Sequence, residues 1–217
     1  MHAILTQLYD AKEYGSILTI TPQDWDALYA RFDEVADESS FHRDNILKHL
    51  LPLVHVAQTL AQKYDVVVTN PPYMGGSGMN ATLSDFIKKN YPDYKSDLFS
   101  AFVIKCMEMA KSEGYLGFLT PYVWMFIQSY EKMRNYIYHT RTIETLIQIE
   151  YSAFEEATVP ICTFVLKNSK VCKNGAYVRL AEFHGGMELQ RQKTLEAIAD
   201  HKCGFYYERN TENFSKI

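Results

Sequence analysis

The chain has 217 residues, 47% of them hydrophobic and 22% charged, which suits a globular protein with one large domain, or one domain and an appendage. A formal net charge of −4 lacks the global basic excess of a chain that grips nucleic acid over its whole surface. The four cysteines, Cys106, Cys162, Cys172 and Cys203, form no Cys-x-x-Cys pair, so no zinc or other metal site is expected. No stretch reads as a signal peptide or a membrane span, and a reducing cytoplasm is the expected location.

Residues 16–20 read as a short strand. Thr21 and Pro22 then have the form of an N-cap and first helical residue, with Trp25, Leu28, Tyr29 and Phe32 at helical spacing. The acidic segment 33–40 reads as a loop. A helix from about Asp44 carries Ile46, Leu47, Leu50, Leu51 and Val54 and is expected to kink at Pro52. His49 and His55 on it read as ordinary surface or core histidines. From residue 64 the pattern changes. Asp65-Val66-Val67-Val68-Thr69 is β-branched without alternation, as in a strand buried on both faces.

After this strand come Asn70-Pro71-Pro72-Tyr73 and a flexible Gly75-Gly76-Ser77-Gly78 loop. A helix is predicted over 97–112, stopped by Gly114, then a strand over 115–120 cut by Pro121. A helix over 129–138, strands near 143–151 and 161–166, and a tight Asn174-Gly175 turn that folds 176–181 back as a hairpin follow. A charged helix runs from Gly185-Gly186 to about Asp200. The pattern is α/β: the second half of an open sheet with a terminal hairpin, flanked by helices. It divides into a mainly helical lead-in (1–62), a central α/β part (63–182), and a helix and linker (183–217).

The chemistry sits at the end of the strand. Open α/β sheets place ligands at the carboxyl ends of their strands. Two prolines there fix two φ angles and remove two donors, leaving a stiff wall of carbonyl acceptors. Asn70 adds a side-chain acceptor and Tyr73 a flat face. An exocyclic amine on an aromatic ring is a poor nucleophile because its lone pair is delocalised. Two acceptors on its N–H bonds favour a tetrahedral nitrogen and stabilise the positive charge that develops as it attacks a methyl sulfonium. Each such bond is worth roughly 1–3 kcal/mol in a dry site. The proton leaves after attack, so no neighbouring base is required. Gly76-Ser77-Gly78-Met79-Asn80-Ala81 also fits a dinucleotide pattern, but that pattern belongs in the turn directly behind a strand, and here the Pro-Pro wall intervenes.

Residues 64–73 resemble motif IV of amino-methyltransferases, Ser96–Phe102 the motif V helix, and Gly114–Pro121 the motif VI strand. With the segment around Met74–Asn80 and Gly185-Gly186-Met187-Glu188, the chain resembles the large adenine-specific DNA methyltransferases of bacteriophage-exclusion (BREX) systems, the PglX type, and related restriction–modification enzymes. The resemblance implies a partial Rossmann-like class I methyltransferase sheet. It also implies methyl transfer from S-adenosylmethionine to N6 of an adenine flipped out of double-stranded DNA. Carried over by residue, Asn70 and the Pro71 carbonyl hold the amino group. Tyr73 and Phe154, the latter matching the motif VIII aromatic, sandwich the ring. Asp97 either shapes the pocket or caps its helix.

One departure limits the resemblance. The glycine-rich cofactor loop belongs upstream of motif IV, yet Gly15 is the only glycine in residues 1–63, so the cofactor-binding residues are unassigned. The chain is therefore expected to be a piece of a larger enzyme, lacking upstream and downstream parts and inactive alone, with other defence-system proteins as further partners. Methylation of a protein glutamine or an RNA base at a similar site, and a non-catalytic binding module on a methyltransferase half-fold, stand as alternatives.

Overall fold

The computed structural model describes residues 1–151, 159–211 and 214. The chain forms two compact units, Met1–Lys63 and Tyr64–Ile217. The first is helical: α1 (His2–Gln7), α2 (Ala11–Tyr14), α3 (Trp25–Asp37), α4 (Arg43–His49) and α5 (Leu51–Ala61). Residues 16–20 are not a strand. A 3-10 turn, Gly15–Ile17, precedes extended residues that bury Ile17, Leu18 and Ile20 without joining a sheet.

Helix α3 is capped by Asp24, whose carboxylate accepts from Ala27 N at 3.0 Å, rather than by Thr21. Thr21 is occupied by the Gln7 amide, which donates to its hydroxyl and accepts from its N–H. The helix also runs through Asp37, because Phe32 and Val35 are buried and hold the acidic stretch in register. Pro52 does not kink one helix but opens a new one, α5, where its missing N–H costs nothing.

The second unit contains a six-stranded sheet in the order β1-β2-β4-β3-β5-β6. Its strands are β1 (Tyr64–Thr69), β2 (Ala110–Pro121), β3 (Thr142–Gln148), β4 (Ile161–Lys167), β5 (Asn174–Arg179) and β6 (Tyr206–Asn210). β1 and β2 are parallel, as are β3 and β5. β4 runs antiparallel between β2 and β3, and β6 antiparallel to β5. The carboxyl ends of β1, β2, β3 and β5 therefore share one edge. Helices α6 (Ala81–Asn90), α7 (Leu98–Met109), α8 (Glu131–Thr140) and α9 (Gly186–Ala199) complete the unit. α7 packs on β1 and β2, and α8 on β3. Phe118 of β2 faces Phe164 of β4 at 5.1 Å, and Trp124 covers Phe164 at the same distance. Among the described residues no helix is long and apolar enough to cross a membrane.

Three expectations are corrected here, and one unpredicted helix is added. β1 is an edge strand, and Val66 and Val68 stand 57% and 74% exposed. A helix, α6, lies inside the segment after the glycine loop, with Asn80 accepting from Leu83 N at 2.8 Å as its cap. α7 ends at Met109, before Gly114. There the Asn168 amide donates to the carbonyls of Met107, Ala110 and Lys111 at 3.0–3.1 Å and holds the chain as it turns into β2. Gly114 instead lies in β2, where a Cβ would stand 2.8 Å from the Asp65 carbonyl oxygen.

The third correction concerns Asn174-Gly175, which opens β5 rather than a tight turn; β5 pairs with β3, not back on β4. A Cβ on Gly175 would lie 2.3 Å from the Ile143 carbonyl oxygen, so glycine is required by the close strand approach. Gly175→Ala is expected to cost about 1–3 kcal/mol by overpacking, read as a lower Tm. Gly76→Ala, with nothing within 4 Å of the added carbon, should leave Tm unchanged.

Candidate active site

Asn70 follows the last residue of β1 and is exposed at the carboxyl edge; Pro71 is buried and Pro72 exposed. Register pairs Thr69 with Phe118, so the Asn-Pro-Pro turn lies beside the end of β2. Tyr73 folds back over it. Its hydroxyl donates to Asn70 Oδ1 at 2.7 Å and lies 3.1 Å from the Leu119 carbonyl oxygen. Burial, with the nearby Cys162 thiol second, pushes the Tyr73 phenol up to about 12, so it remains a donor at neutral pH. A carboxamide oxygen has two lone pairs. Tyr73 uses one and fixes the amide's orientation.

Asp97 ties the turn to α7. Its Oδ1 accepts from Phe99 N at 3.1 Å, as an N-cap should, and also from Met74 N at 2.9 Å. Leu98 N returns a bond to the Met74 carbonyl at 2.9 Å. The residue after Tyr73 is thus held from both sides. Burial raises the Asp97 carboxyl above its ordinary range, against the pull of the backbone N–H groups of Phe99, Met74 and Leu98. In this geometry Asp97 Oδ1 is occupied by backbone donors.

Two aromatic residues that carry no individual signal in the sequence complete the wall. Phe99 meets Tyr73 edge to face, centroids 6.4 Å apart at 85°, and Tyr130 backs Phe99 at 5.2 Å. Burial and the nearby Asp97 carboxylate push the Tyr130 phenol to about 12. Ser96 Oγ donates to the Ser129 carbonyl at 3.1 Å and ties the same two segments together. Phe154 lies outside the described residues. Gly75–Gly78 closes a turn by Gly78 N donating to Gly75 O at 2.8 Å, behind the Pro-Pro wall and not directly behind a strand.

The family model of the Eco57I restriction-modification methylases matches residues 6–154. The chain belongs to that family. Its likeness to curated relatives extends further. It is 36% identical over 165 residues to the adenine-specific methyltransferase BrxX of Escherichia coli O9:H4 (strain HS), covering 73% of this chain and 14% of that protein. It is 30% identical over 224 residues to the adenine-specific methyltransferase PglX of Lacticaseibacillus casei (strain Zhang), covering 99% of this chain and 18% of that one. The Eco57I-family chain thus spans under a fifth of either relative.

Among solved structures, the methyltransferase subunit of the type I restriction-modification system from Streptococcus thermophilus superposes with a TM-score of 0.55 at 17% identity, over 71% of this chain and 36% of that chain. A chain from a type I restriction-modification assembly superposes with a TM-score of 0.56 at 14% identity, over 88% of this chain and 50% of its own. At that identity the likeness bears on the fold alone: a mixed α/β sheet of the class I methyltransferase type, which the family resemblance of the sequence implied.

Proposed function

We propose that the protein of which this chain forms part methylates N6 of adenine in double-stranded DNA, within a restriction-modification or phage-exclusion system. The observation that carries the reading is the Asn70 carboxamide just past the carboxyl end of β1, its oxygen oriented by the Tyr73 hydroxyl. BrxX and PglX, both named adenine-specific methyltransferases, support the choice of adenine.

In this reading Asn70 Oδ1 and the Pro71 carbonyl accept the two N–H bonds of the target amine. Tyr73 offers its ring to one face of the base and Phe154 supplies the other. Asp97 acts through the backbone that positions Tyr73. Residues 63–182 form the catalytic part, 1–62 lead into it, and 183–217 lead out. S-adenosylmethionine is the methyl donor the family implies. No cofactor contact is assigned among the described residues.

The test is methyl transfer by the full-length protein from a labelled donor to duplex DNA, followed by digestion to nucleosides. Label in N6-methyl-2′-deoxyadenosine is expected. Label confined to N4-methyl-2′-deoxycytidine would replace the reading, as would label incorporated only when RNA or protein is offered in place of DNA.

A further inference from the structure

Residues 121–130 form an arch whose two feet lie beside the candidate site. One foot is Pro121 at the end of β2; the other is Tyr130, packed on Phe99 beside Asp97. Between them lie two 3-10 turns, Tyr122–Met125 and Gln128–Tyr130. Trp124 anchors the arch, fully buried against Phe164. At its crest the chain exposes two consecutive large apolar residues, Phe126 at 67% and Ile127 at 48%. A lone exposed apolar residue needs no explanation. Here two adjacent ones lie between two feet that flank the site, on a backbone that Arg134 braces. Arg134 of α8 donates from a single nitrogen, Nη1, to the Trp124 carbonyl at 2.8 Å and the Ile127 carbonyl at 2.6 Å, one on each side of Phe126. The Tyr122 ring meets Phe126 edge to face at 5.7 Å. A side chain held out this stiffly keeps its direction when it meets a partner.

An enzyme acting on a base inside a duplex must first unstack it. Apolar wedges of the Phe, Leu, Ile or Met kind do this by entering the stack between base steps. We infer that Phe126, supported by Ile127 and aimed by the Arg134 brace, is such a wedge, entering the DNA stack beside the target adenine and lowering the cost of extruding it. The inference rests on the proposed function and deepens it by naming how the paired substrate is opened.

The test compares the full-length wild-type protein with its Phe126→Ser and Phe126→Leu variants on two duplexes that differ only in whether the target adenine is paired or mispaired. On the paired duplex Phe126→Ser is expected to slow methyl transfer by about tenfold or more, with Phe126→Leu between it and wild type, since a branched apolar side chain still wedges. On the mispaired duplex, where the base is already loosened, all three should agree within about threefold. Emission from 2-aminopurine at the target position should rise with wild type and not with Phe126→Ser. Equal losses on both duplexes would show a packing role for Phe126 and overturn the inference, as would no loss on either. A wild-type protein that methylates neither duplex would overturn the proposed function, and this inference with it.

Discussion

Replacing Asn70 with alanine in the full-length protein is expected to lower methyl transfer to DNA by about 10²-fold or more, the usual effect of removing one preorganised group from a transition-state site, with almost no change in Tm. The two halves of the prediction have separate causes. Asn70 is exposed and belongs to no core cluster, so its truncation falls among surface changes worth within about 0.5 kcal/mol. Tyr73 loses one acceptor but keeps the Leu119 carbonyl oxygen 3.1 Å away, so no buried donor is orphaned. The amine, by contrast, loses the acceptor that makes its nitrogen more tetrahedral. Asn70→Asp keeps an oxygen in the same place and should lose less than the alanine variant. Rates within about threefold of wild type in Asn70→Ala would remove Asn70 from the mechanism. A rate loss matched by a fall in Tm would reassign it to structure.

How much of this was legible in the sequence depends on the span of the interactions. The Asn-Pro-Pro-Tyr turn is local: four adjacent residues after a β-branched run specify both its stiffness and its position on the sheet edge. The exposure of β1 was not legible, because Val66, Val67 and Val68 read the same whether one neighbouring strand is bonded or two. The end of α7 was missed for a related reason. No Gly or Pro stands between Met109 and Gly114 to mark the stop, and the groups that hold the chain there come from Asn168, about sixty residues later, whose amide meets the carbonyls of Met107 and Ala110. Gly175 carried a true glycine signal with the wrong meaning. Asn-Gly suggests a turn, whereas the structure needs a missing Cβ where β5 crosses close to the Ile143 carbonyl.

The site divides in the same way. Asn70 and Tyr73 are three residues apart and could be paired by eye. The Leu119 carbonyl that also meets Tyr73, and the Tyr130 ring behind Phe99, arrive from 46 and 31 positions away, and no pattern in the chain announces them. Asp97 is intermediate: its N-cap role follows from an Asp before an apolar helical run, but its bond to Met74 N does not. Its two roles make a prediction that sequence alone would not suggest.

Asp97→Ala should be costly twice. The α7 cap is lost, at about 0.5–2 kcal/mol, and the Met74 N–H loses its acceptor, which adds roughly 1 kcal/mol where that group is shielded from water. The turn carrying Tyr73 then keeps its backbone pairing with the start of α7 but loses the side-chain tie to Met74 N, and a loosened Tyr73 orients neither Asn70 nor a base. Methyl transfer should fall by about tenfold or more, because catalytic positioning tolerates less than an ångström of slack. Asp97→Ser separates the two roles. Serine is an equally good N-cap, but its shorter side chain does not reach Met74 N while capping Phe99 N. Thermal denaturation and steady-state kinetics on the pair should therefore part company: Asp97→Ser regains most of the lost Tm and little of the lost rate. If serine restored both, the Met74 bond would be incidental and Asp97 no more than the cap of α7. If alanine left the rate intact, the coupling from Asp97 through Met74 to Tyr73 would be refuted, and the orientation of Tyr73 would rest on its own hydroxyl bonds to Asn70 and Leu119.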